Sequence, residues 1–176
     1  VEWLLTETIE AARRGKVVKS KSFEKIIIDT TVMEKAVAYP TDSRLLERGR
    51  QHLVKLAGAL GITLRQNYNR EAPRLAVQVG RYVHAKQYRR MKATLKSLRT
   101  IVGRVWRDID RKLDHQNEAQ SAKAGSILAR VKRLLEQKPK DKNKLYSLHA
   151  PEVECISKGK ARQPYEFGVK VTVATT

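Results

Sequence analysis

Asp29 follows Ile26, Ile27 and Ile28 directly and precedes Thr30 and Thr31, so a carboxylate closes an apolar run. A strand buried on both faces reads as an unbroken apolar stretch, and a half-exposed one alternates. An acid at the end of such a run can do one of two things. It can cap the strand by accepting backbone N–H groups, or it can serve as an oxygen ligand on a rigid support. Hard cations such as Mg²⁺ prefer oxygen and are usually held by one or two carboxylates plus substrate phosphate. The residues themselves leave both roles open.

The second group with chemistry in it is basic. The chain carries 37 Lys and Arg against 18 Asp and Glu, a net charge of +19. From Arg44 to Lys144 there are 26 basic and 8 acidic residues, so +18 of that excess lies in one segment. A near-neutral remainder joined to a strongly basic module points to a polyanionic partner, nucleic acid first. The stretch "KQYRRMKATLKSLR" holds Lys86, Arg89, Arg90, Lys92, Lys96 and Arg99 with no acid among them, and these are the candidates for phosphate contact. Lys158, Lys160 and Arg162 in "SKGKAR" form a smaller cluster, suited to phosphate or to an ordinary solvated turn.

Other groups weigh less. Asp108 and Asp110 in "RDIDRK" point in different directions on a helix, and Arg107, Arg111 and Lys112 stand ready to neutralise them. His52, His84, His115 and His149 are scattered and, with one cysteine, match no zinc spacing. Cys155 reads as a small buried hydrophobe and has no intramolecular partner, which leaves a cytoplasmic setting as the expectation. "LRQNY", Arg65 to Tyr68 with Leu64, offers groups for sugar, phosphate or base, or for pinning a connector to the core.

These residues need elements to hold them. Residues 2–13 have the spacing of a short amphipathic helix with Gly15 as its stop, and Phe23 to Tyr39 is rich in β-branched residues, a buried strand centred on Ile26 to Thr31. Pro40 closes it. A capped helix follows, with Thr41, Asp42 or Ser43 as N-cap and Gly61 as stop. Apolar spacing from Arg74 to Leu113 predicts one long helix or two meeting near Gly103, and Glu118 to Gln137 predicts another. The period then changes to two, predicting a β-hairpin over about Glu152 to Ala174 with Gly159 in its turn. No apolar run approaches the roughly 20 residues of a membrane span.

The segments "IIIDTTVMEKAVAYPTDSRLLERGRQHLVKLA", "GITLRQNY", "GRVWRDIDRK" and "LYSLHAPEVECISKGKARQPYEFGVKV" resemble, in this order, the bacterial insertion-sequence transposases of the DDE type, whose catalytic core folds like ribonuclease H. The resemblance covers nearly the whole chain. It implies an α/β fold: a partial ribonuclease-H-like mixed sheet of three strands, from residues 23–40 and 145–176, with a large basic α-helical insertion, 41–144, after the first strand. Residues 1–22 would be an N-terminal helix and connector. It implies further that Asp29 is the first acid of an Asp, Asp, Glu triad, catalytic and metal-binding, with two Mg²⁺ (or Mn²⁺) ions in the complete site.

The chemistry so implied is phosphodiester cleavage and strand transfer on double-stranded DNA, transposon ends and target, by a homodimer in the assembled complex. The other two triad members belong after the "YEFGVKV" strand, beyond Thr176, and nothing matches Glu152, Glu154 or Glu166 to them. With Val1 rather than Met at the start, the expectation is a fragment that binds DNA and is inert alone. The rival expectation is a non-catalytic basic helical nucleic-acid-binding protein, or an inactive transposase remnant.

Overall fold

The computed structural model describes residues 2–17, 27–113, 117–157, 159, 161–162 and 164–175. The elements in chain order are α1 (Glu2–Arg14), β1 (Ile27–Glu34), α2 (Asp42–Ala59), α3 (Glu71–His84), α4 (Tyr88–Lys112), α5 (Glu118–Glu136), β2 (Glu154–Ser157) and β3 (Tyr165–Thr175). The chain divides into two compact units, Val1–Glu34 with Val169–Thr176, and Lys35–Gly168. That division runs through β3.

The sheet is small, with strand order β1-β3-β2, and antiparallel rather than mixed. In the hairpin Glu154 faces Gly168, Cys155 faces Phe167, Ile156 faces Glu166 and Ser157 faces Tyr165. Gly159, at φ +67°, supplies the left-handed residue the connection between β2 and β3 requires. The N–H of Lys35 donates to the Phe167 carbonyl at 3.1 Å, and the rings of Tyr39 and Tyr146 pack on that of Phe167 at 5.5 and 5.6 Å.

The main core lies in the helices. Leu46, Leu53 and Leu56 of α2, Leu98, Ile101, Val102, Val105 and Ile109 of α4, and Val131 and Leu134 of α5 form one buried cluster that Leu145 and Leu148 close. These positions recur every three or four residues, the spacing that puts them on one face of each helix. Gly49 faces α5: a Cβ there would make ordinary contact, 3.5 Å from Leu134 and 3.6 Å from Val131. The half-buried Trp106 indole N–H donates to the Leu128 carbonyl at 3.0 Å, tying α4 to α5.

Thr41 is the N-cap of α2, its hydroxyl accepting the Arg44 N–H. Three helices end in the same way. At α1, α2 and α3 the N–H groups of Val17, Ile62 and Gln87 reach back five residues to Ala12, Ala57 and Tyr82, and a left-handed residue precedes each: Lys16 (φ 53°), Gly61 (φ 68°) and Lys86 (φ 54°). Two expectations are corrected by this. The stop of α1 is Lys16 rather than Gly15, and the Arg74–Leu113 stretch breaks at Lys86 rather than near Gly103, which is buried inside α4. On α1, Trp3 and Leu4 are exposed, so the apolar face read from the sequence is not fully covered.

Candidate nucleic-acid interface

α4 is the element that decides what the basic segment can do. Its Leu98, Val102, Val105 and Ile109 are buried, and that burial fixes which side chains point away. Arg89, Lys92, Lys96, Arg104, Arg107 and Arg111 are all exposed. At 3.6 residues per turn they share an arc of roughly 120° opposite the buried face, and the 22 steps from Arg89 to Arg111 extend it over about 33 Å. One turn of B-DNA is about 34–36 Å long.

The other sequence-derived contacts are placed differently. Lys86 is exposed in the left-handed position between α3 and α4, and Arg90 donates to the Gln87 side chain at 3.1 Å. Arg99 lies at the edge of the arc, half-buried, and its Nη1 donates at 3.3 Å to the carbonyls of both Leu135 and Gln137. Those are acceptors at the C-terminal end of α5, where cations are favoured. Arg162 is exposed near the hairpin turn. Lys158 and Lys160 lie outside the described residues, as does His115.

Sequence reasoning missed Arg104, Arg107 and Arg111. The signal was present: 89, 92, 96, 100, 104, 107 and 111 continue one helical row, and no acid interrupts the sequence between Glu71 and Asp108.

Asp108 is buried and structural. Its Oδ2 accepts the backbone N–H of Arg65 at 2.9 Å, and Lys112 reaches its Oδ1 at 3.1 Å. The Arg65 N–H holds its carboxyl below the ordinary range, helped by the Lys112 ammonium and opposed by burial. Lys112 also donates to the Thr63 carbonyl at 2.6 Å. Farther along the same connector, Asn67 and Asn69 are held from α2 by Arg50, which is buried in a two-bond pair with Glu47 (2.9 and 2.6 Å) and gives Nη1 to the carbonyl of Asn67 (2.9 Å) and the side chain of Asn69 (2.6 Å). The "LRQNY" segment is thus pinned at both ends.

Elsewhere in this unit a cavity of about 740 Å³ lies among Tyr39, Arg48, His52, Tyr146 and His149. Burial, then Arg48, Lys55 and Arg130, push the His52 imidazole down toward its neutral form. Ser147 and His149 are 3.0 Å apart, but the serine oxygen also accepts the Ala150 N–H and serves a turn. Burial pushes the Cys155 thiol up, away from a reactive thiolate.

Asp29 is on β1; its side chain is outside what the structure describes. Among the described residues no group of three His, Cys, Asp or Glu is arranged to hold a metal ion. No helix among the described residues is long and apolar enough to cross a membrane.

One relative is similar over half of the chain: the "Uncharacterized protein ORF8 in nfe locus" of Rhizobium meliloti, 47% identical over 88 residues, 50% of this chain and 42% of that protein. The chain therefore spans less than half of the length of that protein. No protein-family model matches the chain, and no solved structure does.

Proposed function

We propose that this chain is the DNA-handling portion of a DDE-type transposase. The observation that carries it is the outer face of α4, where six exposed Lys and Arg side chains from Arg89 to Arg111 form a row about one duplex turn long, on a helix whose other face is anchored in the core. The resemblance of the four quoted segments to insertion-sequence transposases supplies the rest. In it β1 and the β2–β3 hairpin are the first strands of a ribonuclease-H-like sheet, and α2 to α5 are the insertion between them. Asp29 is then the first acid of a triad whose other members lie outside this chain. Such a protein binds duplex DNA as a homodimer, uses Mg²⁺ when its site is complete, and works in the cytoplasm.

Two experiments test this reading. Duplex binding by the 176-residue chain, followed by anisotropy, should weaken by about 10³ between 50 and 200 mM salt if about six phosphates are neutralised. In a longer protein carrying all three acids, Asp29→Ala should abolish cleavage of element-end DNA while leaving binding intact. Mg²⁺-dependent nicking by the 176-residue chain alone would refute its expected inertness.

A second reading has one specific observation in its favour. The unit Lys35–Gly168 holds the chain's main hydrophobic core and the whole basic row. A module of that kind can bind nucleic acid without catalysis, and on this reading Asp29→Ala changes nothing.

A further inference from the structure

At the C-terminal end of the α4 row, the connector after α2 and the last turns of α4 enclose a recess of about 370 Å³. Arg65, Arg104, Arg107 and Arg111 line it with Gln66 and Tyr68. Buried Asp108 lies at its base, but both carboxylate oxygens are engaged by the Arg65 N–H and Lys112, which offset its charge. Four guanidinium groups are left around one small volume. Among the described residues none of Arg104, Arg107 and Arg111 is salt-bridged to a carboxylate, and Arg65 reaches Asp108 only at 4.0 Å.

The recess is built rather than incidental. Tyr68 is held at φ +55°, a conformation a bulky side chain adopts only when its surroundings impose it. Arg50 imposes it by binding Asn67 and Asn69 on either side, and the Tyr68 hydroxyl comes to 3.5 Å from Arg104 Nη1. On α4, Gly103 leaves space for the Arg107 guanidinium to lie back along the helix, 3.2 Å from where a Cβ would stand. Arg111 donates to the Arg107 carbonyl at 3.1 Å, which orients it as well. Like charges at this spacing repel, and a cluster held together by the surrounding network is a cluster prepared for an anion.

We infer that this recess is a phosphate-binding site that clamps one or two backbone phosphodiesters of duplex DNA, anchoring the end of the row on α4. Guanidinium forks suit phosphate oxygens better than ammonium groups do, because they present paired donors in one plane. Gln66 and the Tyr68 hydroxyl add neutral donors that would fix the phosphate's orientation. The inference rests on the DNA-binding reading but not on Asp29 or on catalysis.

The test is anisotropy titration of the 176-residue chain with a 30-base-pair duplex from 50 to 300 mM salt, with circular dichroism confirming that each variant folds. R104Q/R107Q should lower the slope of log K against log salt by about 1.8 and weaken binding at least about tenfold at 150 mM. R104K/R107K should keep most of the slope yet lose affinity several-fold, because the charge remains and the forks do not. Unchanged affinity in the Lys variant would reduce the recess to net charge and overturn the inference. An unchanged slope in the Gln variant would overturn it while leaving the DNA reading intact, and no binding by the unaltered chain would overturn both. An effect confined to duplex RNA of the same sequence would overturn the assignment to DNA.

Discussion

Asp108 accepts the backbone N–H of Arg65 at 2.9 Å across 43 residues of chain, so a carboxylate inside α4 sets the path of the connector that leaves α2. The bond is charge-assisted and half-buried, a class worth about 1.5–3 kcal/mol. Asp108→Ala, which leaves that N–H and Lys112 without their acceptor, should cost about that much in a urea melt. The pH dependence follows in sign. The folded carboxyl is held below its ordinary value of 3.8, so its stabilisation is present above that pH and is lost as pH falls through the lower folded value. The acid limb of the stability curve should flatten in Asp108→Asn, and an unchanged limb would place the acid sensitivity elsewhere.

Arg50 and Glu47 form a pair in which both members are buried. Arg50→Met leaves a carboxylate without its partner in the interior and should cost about 3–5 kcal/mol. Adding Glu47→Met should recover part of that loss, because removing the second charge removes the uncompensated one. Recovery will be incomplete, since Asn67 and Asn69 remain unheld. Denaturant midpoints for the three variants measure the pair directly, and a double variant worse than the single would contradict this account.

Arg99 and Lys96 are neighbours in the sequence-derived list of phosphate contacts, but the structure gives them different work. Arg99 serves the carbonyls at the end of α5, so Arg99→Gln should lower stability by about 1 kcal/mol. Its effect on the salt slope of DNA binding should be the smaller. Lys96→Gln, at an exposed position, should leave the melting curve within about 0.5 kcal/mol and lower the slope by about 0.9. Equal slopes for the two variants would put Arg99 back among the contacts.

Much of this arrangement was legible in the residues, and the exceptions have physical causes. The stripes Leu45, Leu46, Leu53, Leu56 and Leu128, Val131, Leu134 marked α2 and α5 because burial enforces a period, and Gly159 marked the hairpin because its backbone is left-handed. The break between α3 and α4 left no such mark. Its left-handed residue is Lys86, held there by hydrogen bonds back to Tyr82 and Val83, so the punctuation is in the backbone and not in a glycine or proline. Gly103, which looked like punctuation, sits inside a continuous helix. The recess was hidden for a different reason: Arg65 and Arg104 are 39 positions apart in the chain, and their segments meet only on folding, through contacts such as Asp108 with Arg65, Lys112 with Thr63 and Arg104 with Tyr68.

Gly103 offers a test that joins folding to the proposed site. It is a helix-interior glycine, and Ala in such a position is favoured by about 0.8–1 kcal/mol. A Cβ there would meet only the Arg107 guanidinium, with Nη1 at 3.2 Å, the far end of a side chain free to swing away. Gly103→Ala should therefore raise stability, by about 0.5–1 kcal/mol, read as a higher denaturant midpoint with an unchanged m-value. The same substitution makes the Arg107 guanidinium give by a few tenths of an ångström at the recess, so DNA affinity should fall as stability rises. Opposite signs are the informative outcome: a variant that gains stability and binds DNA as well as before would show that the position of Arg107 does not matter to the interface.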